Sequence, residues 1–434
     1  MWLEIVVFIV VGAGIASITG CIPGMHVNNL IAAILPLIPF LLHYISPLAV
    51  VALIISMATT HTFVNFIPSV FLGAPEASTA LSVLPGHKFL LEGRGHEAVV
   101  FTLIGSLGTL ILAIILLPTL VVALPLIYRI TVQHLHWLLA IVVVHMLLWE
   151  PPGKLRKNTV THRITTAWSK TFISTLVFVL SGILGLLVLE TPLLTGKNVL
   201  FPPLVGLFGV STLLFSFMSK TEIPPQAATK TIKVDRGEAL KGIAMGTTAG
   251  IFAGVFPGIS PATSTALAQE AIGHEREEGE KLFLISVGGV NTAEAIYALV
   301  MLYSLGRIRS GTAAAINQVL PYVELNLWLL VSIALAAGGI ATLTTIYISK
   351  RVASNLTKIP YQVTCLGIII ALSTLVLLIS GPIGLLVMAT ATNIGIITIT
   401  TGIRRVHAMG FLLLPITTFF LGWESKILAL LGCN

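Results

Sequence analysis

Two Pro-Gly pairs, Pro23-Gly24 and Pro257-Gly258, interrupt long apolar stretches of this sequence. Proline removes a backbone donor and clashes with the preceding turn, so neither stretch can run as one undisturbed helix. At the second break Ser260 is placed to cap a new helix, with Pro261 at its first position and Thr263, Ser264 and Thr265 in its first turn. A helix that starts inside a membrane presents unpaired N–H groups and the positive end of its dipole, which can hold a carboxylate or phosphate without a buried cation. Carbonyls freed on the other side of the break can coordinate Na⁺. The candidate substrate ligands are Gly24, His26, Asn28 and Asn29 at the first break, and Gly258, Ser260, Thr263 and Ser264 at the second. A plain kink with polar neighbours is the alternative, and recurrence of the break in both halves favours a site.

A second set of residues suits ion coupling. His61 and Glu294 fall deep within apolar segments, with Asn65 near the first and Asn291 and Thr292 near the second. A carboxylate in hydrocarbon costs about 2.5 kcal/mol or more, so Glu294 must face the protein interior and pair, take a proton or meet an ion. His61 could carry a proton or serve as a hydrogen-bonded packing residue. Two shorter segments bear small and hydroxylated residues at their starts: Glu76, Ser78 and Thr79 after Gly73-Ala74-Pro75, and Ser310 and Thr312 after Gly306-Arg307-Ile308-Arg309. Such tips permit close approach to another helix, although a solvated turn is an equal reading for Glu76, Arg307 and Arg309.

Catalysis and resident cofactors find little support. Asp235 is the sole aspartate, which excludes an aspartyl dyad, and His274-Glu275-Arg276-Glu277-Glu278 lacks the second histidine of a zinc helix. No GxSxG elbow occurs, and Cys21, Cys365 and Cys433 are isolated, so neither a metal centre nor a disulfide framework is expected.

These residues need a membrane scaffold to position them. Of 434 residues 56% are hydrophobic and 9% charged, with mean hydropathy +1.00, against roughly 25% charged in soluble domains. The net charge of +7 comes from basic residues in short loops, which suits cytoplasmic anchoring and not a nucleic-acid partner. The stretch 1–22 lacks a basic leader and reads as a retained span.

The Pro-Gly stretches match at an offset of 234, and Leu72, Gly73, Thr79 and Ala80 match Leu305, Gly306, Thr312 and Ala313 at 233. The expected fold is thus an all-α polytopic membrane protein of two inverted-topology repeats. Each repeat holds a Pro-Gly-broken helical hairpin, a shorter re-entrant segment and five full spans. Repeat 1 covers 1–218 with segments at 3–42, 47–71, 73–95, 97–128, 133–149, 172–190 and 201–218. A cytoplasmic linker occupies 219–241. Repeat 2 covers 242–434 with segments at 242–271, 282–304, 307–320, 323–348, 361–380, 383–401 and 409–432. An odd number of spans inverts the second half. With the N-terminus outside, and loops 150–171 and 219–241 cytoplasmic, 19 of the 24 Lys and Arg lie inside; Arg129, Lys197, Arg307, Arg309 and Lys426 lie outside.

The stretches Gly20-Cys-Ile-Pro-Gly24, Gly73-Ala-Pro75, Leu84-Pro-Gly-His-Lys-Phe-Leu-Leu-Glu-Gly93 and Gly254-Val-Phe-Pro-Gly258 together resemble the large permease of the tripartite tricarboxylate transporters, the TctA family. The resemblance spans most of the chain. It implies import of a di- or tricarboxylate driven by Na⁺ or H⁺, with a small membrane subunit and an extracytoplasmic binding protein as partners; a homo-oligomer is also compatible with it. The chain departs from the family at Thr60-His61-Thr62 and Met25-His26-Val27, where small Gly-rich runs are usual, so it reads as a divergent branch. The Pro-Gly breaks are also similar to those of polyprenyl-phosphate translocases, which makes a lipid phosphate the alternative cargo. A non-transporting membrane scaffold is the remaining reading.

Overall fold

In a computed structural model the chain is helical, with no strand among the described residues. Those are residues 2–22, 27–34, 37–75, 77–148, 160–194, 199–219, 223–227, 232, 234–256, 259–272, 277–321, 324, 326–356, 358 and 361–430.

The first half begins with α1 (Trp2–Thr19), α2 (Val27–Ile34), α3 (Ile38–Tyr44), α4 (Pro47–Val64) and α5 (Phe66–Leu72). A 3-10 segment (Ala77–Ser82) leads into α6 (Val83–Leu91), followed by α7 (Gly95–Ile115), α8 (Leu117–Thr131), α9 (Leu135–Leu148) and α10 (Val160–Leu189). It closes with α11 (Phe201–Leu204), a π-helical turn (Val205–Val210) and α12 (Ser211–Met218). The second half contains α13 (Arg236–Val255), α14 (Pro261–Ile272), α15 (Glu277–Leu305), α16 (Gly311–Val319), α17 (Leu327–Leu356), α18 (Tyr361–Thr401), α19 (Gly410–Leu421) and α20 (Glu424–Leu430).

Nine stretches are long and apolar enough to cross a membrane among the described residues, or ten if the bent pair at 405–430 counts as one span. The protein is therefore a multi-pass membrane protein. Its short segments are real breaks: α16 has 9 residues, which at about 1.5 Å each reach under half of a roughly 30 Å hydrocarbon core.

Several boundaries differ from the sequence expectation. The span expected at 97–128 is divided near Leu116, because Pro118 withholds an N–H from the helix there. The turn expected between 128 and 133 is instead helical, and 117–148 runs on as one apolar stretch. The final segment is bent by 117° where Gly422 adopts φ 68°. By contrast, α18 covers both spans expected at 361–380 and 383–401, and its break at Gly381, φ 67°, just before Pro382, falls in the expected gap.

The chain forms two compact units, and each draws on both halves of the sequence. One comprises residues 1–129 and 220–368; the other comprises 130–219 and 369–434. In the first unit α1 packs along α4 and α13 along α15, while α15 also packs on α7 and α17 on α4. In the second unit α10 packs on α19, which also meets α9.

The α13–α15 seam is set by glycine. Gly242, Gly246, Gly250 and Gly254 recur every fourth residue and face α15 in one row, an arrangement that lets two helix backbones approach closely. A methyl group added at Gly246 would stand 2.6 Å from the Ser286 carbonyl oxygen, and one at Gly254 would stand 2.6 Å from Cβ of Tyr297. The seam is locked by polar links: the Tyr297 hydroxyl donates to the Thr247 carbonyl at 3.2 Å, and the Thr247 hydroxyl donates to Thr109 on α7 at 3.1 Å. The last glycine of the row sets the end of α13 against Glu294.

Candidate functional site

α13 ends at Val255, its C-cap Phe256 is extended, and the chain enters α14 through Ile259 and Ser260. The expected cap is present: Thr263 N–H donates to the Ser260 hydroxyl at 3.2 Å, and the Ser260 and Thr263 hydroxyls lie 3.2 Å apart. Thr263, Ser264 and Thr265 are buried, and the Ser264 and Thr265 hydroxyls have no hydrogen-bond partner among the described residues. A buried hydroxyl with nothing to bond costs about 1–3 kcal/mol, so the first turn of α14 holds polar capacity that a ligand could use.

At the first break α1 ends at Thr19 and α2 starts at Val27. Gly24 and His26 lie outside the described residues, as does Gly258 at the second break; Asn28 and Asn29 lie on α2, with their side chains outside the description. Both post-break helices make contacts that cross between the halves: α14, besides packing on α13 and α15, meets the 3-10 segment Ala77–Ser82, and α2 packs on α16. The helix after each break thus meets the short segment of the opposite half.

The two short segments begin alike. Gly73 and Gly306 both adopt the left-handed conformation, φ 59° and 62°, and end the preceding helix. In each case the next N–H reaches back, Ala74 to the Pro68 carbonyl at 3.2 Å and Arg307 to the Met301 carbonyl at 3.3 Å. After the turn the segments diverge. Ser310 caps α16 by accepting from Ala313 N–H at 3.1 Å, and Thr312 sits in the first turn, half-buried. Ser78 and Thr79 instead lie buried in 3-10 geometry, with Asn65 donating to the Ser78 hydroxyl at 3.4 Å. Glu76 lies outside the described residues.

The coupling candidates share the first unit. His61 and Asn65 are buried at the end of α4, and Asn291 and Thr292 are buried on α15. Asn291 donates to the Thr62 carbonyl at 3.5 Å and so ties α15 to α4, while the Thr292 hydroxyl is buried without a partner among the described residues. Glu294, one turn further along α15, makes no hydrogen bond among the described residues and lies within electrostatic reach of Arg309. The offset of 233 that pairs Leu72 with Leu305 also pairs His61 with Glu294 and Glu76 with Arg309. His61 and Glu294 therefore share one register of that sequence match.

Other groups escaped the sequence reading. Tyr128 on α8 stacks against Phe256, centroids 6.3 Å apart, and carries the Arg307 guanidinium 4.7 Å above its ring. Here the aromatic partner sits on a helix that hydropathy alone marks as featureless. In the second unit Arg405, expected as a loop anchor beside Arg404, is buried and donates to the Phe208 carbonyl at 3.1 Å and the Thr212 hydroxyl at 2.7 Å. The Glu4 carboxylate accepts from both Ser46 N–H (2.9 Å) and its hydroxyl (2.8 Å), which fixes the start of α4.

Comparison with known proteins agrees with this architecture. An uncharacterized protein of Methanocaldococcus jannaschii is 27% identical over 421 residues, covering 95% of this chain and 98% of that protein. No solved structure matches the chain. The profile of the tripartite tricarboxylate transporter TctA family matches residues 6–410, nearly the whole polytopic region with both Pro-Gly breaks, and the chain belongs to that transporter family.

Proposed function

We propose that the protein is an ion-coupled secondary transporter of a small organic di- or tricarboxylate, held at the start of α14. The observation that carries this reading is the pair of buried, unpartnered hydroxyls of Ser264 and Thr265 in the first turn of a helix that begins at Ser260, directly after a Pro-Gly break. Helix N-terminal dipoles favour an anion by about 0.3–1 kcal/mol each, more when water is excluded, and free hydroxyls add hydrogen bonds.

In this reading the two halves are inverted repeats, the N-terminus lies outside, and alternating access moves the break-bearing hairpins against the remaining spans. The matched turns at Gly73 and Gly306 and the reciprocal packing of α14 and α2 on the other half's short segments support it. Glu294, with His61 at the equivalent position, couples transport to H⁺ or Na⁺. Family membership supports a small membrane subunit and an extracytoplasmic binding protein as partners.

The test is thermal stability of the purified protein with di- and tricarboxylates, inorganic phosphate and a polyprenyl phosphate, with and without Na⁺. A ligand at 100 times its Kd stabilises by about 2.7 kcal/mol. A carboxylate-specific shift is the expected result, and Ser264→Ala should weaken it by about tenfold while leaving the unliganded Tm within a degree or two, since that hydroxyl has no hydrogen-bond partner among the described residues. A shift with the lipid phosphate alone would replace the carboxylate reading with a lipid-carrier one; a flat panel would remove the anion site.

A further inference from the structure

We propose that Arg307 and Arg309, braced by Tyr128, form a second anion subsite that takes a further acidic group of the transported molecule, with Glu294 as its internal competitor. The inference rests on the carboxylate reading above and adds to it a reason why the substrate carries more than one acidic group.

The loop between α15 and α16 is turned sharply by Gly306, and this brings both arginines to one place. The Arg307 guanidinium carbon stands 4.7 Å from the centre of the Tyr128 ring, a cation–π contact that braces the group over the ring. Tyr128 in turn stacks on Phe256, the residue immediately before Pro257, so the arginine loop is tied to the entrance of the α14 site. Arg309 Nε is buried and has no hydrogen-bond partner among the described residues. The ionisable groups that act on Arg309 are Glu294, Tyr128 and Arg307, so it lies between one carboxylate and a second guanidinium. That carboxylate is not hydrogen-bonded to either arginine among the described residues.

A groove of about 510 Å³ adjoins the loop, lined by Pro125, Leu126 and Arg129 of α8 and by Tyr303, Ser304 and Leu305, which run directly into Gly306 and Arg307. The Ser304 hydroxyl is buried and has no hydrogen-bond partner among the described residues. Guanidinium groups recognise carboxylates through two parallel N–H bonds, and a half-buried Arg309 with a spare buried donor beside an exposed Arg307 is an arrangement that a second carboxylate completes. When Glu294 is neutral, Arg309 is released to the ligand.

The experiment uses the full-length protein, with citrate and propionate as probes. Arg309→Gln should weaken citrate binding by about tenfold or more and propionate by less than about threefold, because a monocarboxylate needs only the α14 subsite. Glu294→Gln should act in the opposite direction and tighten citrate, an outcome a merely structural arginine would not give. Should Arg309→Gln fail to fold, Arg309→Lys keeps the charge, loses the fork, and should give an intermediate loss confined to citrate. Equal weakening of both probes, or unchanged citrate binding with Ser264→Ala still deleterious, overturns the second subsite alone. A wild-type protein that binds neither probe overturns both this subsite and the transport reading on which it rests.

Discussion

Glu190, just beyond the C-terminal end of α10, is about half protonated at pH 7. Partial desolvation first, then the hydrogen bond and negative charge of Glu424, push its carboxyl up from 4.5 to about 7. The unfolded chain gives up this proton near 4.5, so between that value and about 7 the folded state binds more protons than the unfolded one. Stability is then greatest below that window and falls as pH rises through it. We expect the Tm to drop between about pH 5 and pH 7.5 and Glu190→Gln to flatten that drop; an unchanged slope in the variant would place the dependence elsewhere. At this scale the sequence was readable where chemistry and chain order coincide. Ser260 and Pro261 announce a helix start because caps are local, and Ser260 does cap α14. Arg405 was unreadable, since an Arg-Arg pair in a loop looks the same whether its second member anchors at the surface or turns inward to bond Phe208 and Thr212. The Arg307–Tyr128–Phe256 stack was unreadable for a related reason: its three members come from segments far apart in the chain.

Among elements, the seam between α13 and α15 leaves little tolerance along its whole length. Gly250 faces Ala293, Gly254 faces Tyr297, and no gap exists for a larger residue. Gly250→Leu should force the helices apart and destabilise by about 1–3 kcal/mol, read as a lower Tm, whereas Gly339→Leu on α17, where an added carbon meets nothing within 4 Å, should be nearly neutral. Equal effects of the two would show that the seam is looser than the distances imply. The glycine row was in the sequence all along as a period of four, but it is the helical register that turns a period into a face. Span positions were read well from hydropathy, while the join between α8 and α9 was not, because Arg129 and Gln133 interrupt the apolar pattern without interrupting the helix turns.

For the whole molecule, the compact units and the sequence halves are different partitions. Each unit takes one portion from residues 1–219 and another from 220–434, joined by pairings such as α7 with α15 and α10 with α19. Either half expressed alone leaves those faces unfilled and should be degraded, while co-expression of 1–219 with 220–434 should restore a purifiable protein. Accumulation of a folded single half would contradict this. Hydropathy could not reveal the partition, since it reports which segments enter the membrane and not which ones meet there.

One consequence concerns how the chain is made. α13 carries Arg236, Glu238 and Lys241 and many glycines, and it is not among the helices apolar enough to cross a membrane by themselves. Lipid alone offers it too little to remain there; α7, made earlier, covers part of it, and the longer seam belongs to α15, which is synthesised afterwards. The surface that buries the helix leading to the proposed anion site is therefore complete only once the ribosome has passed Leu305.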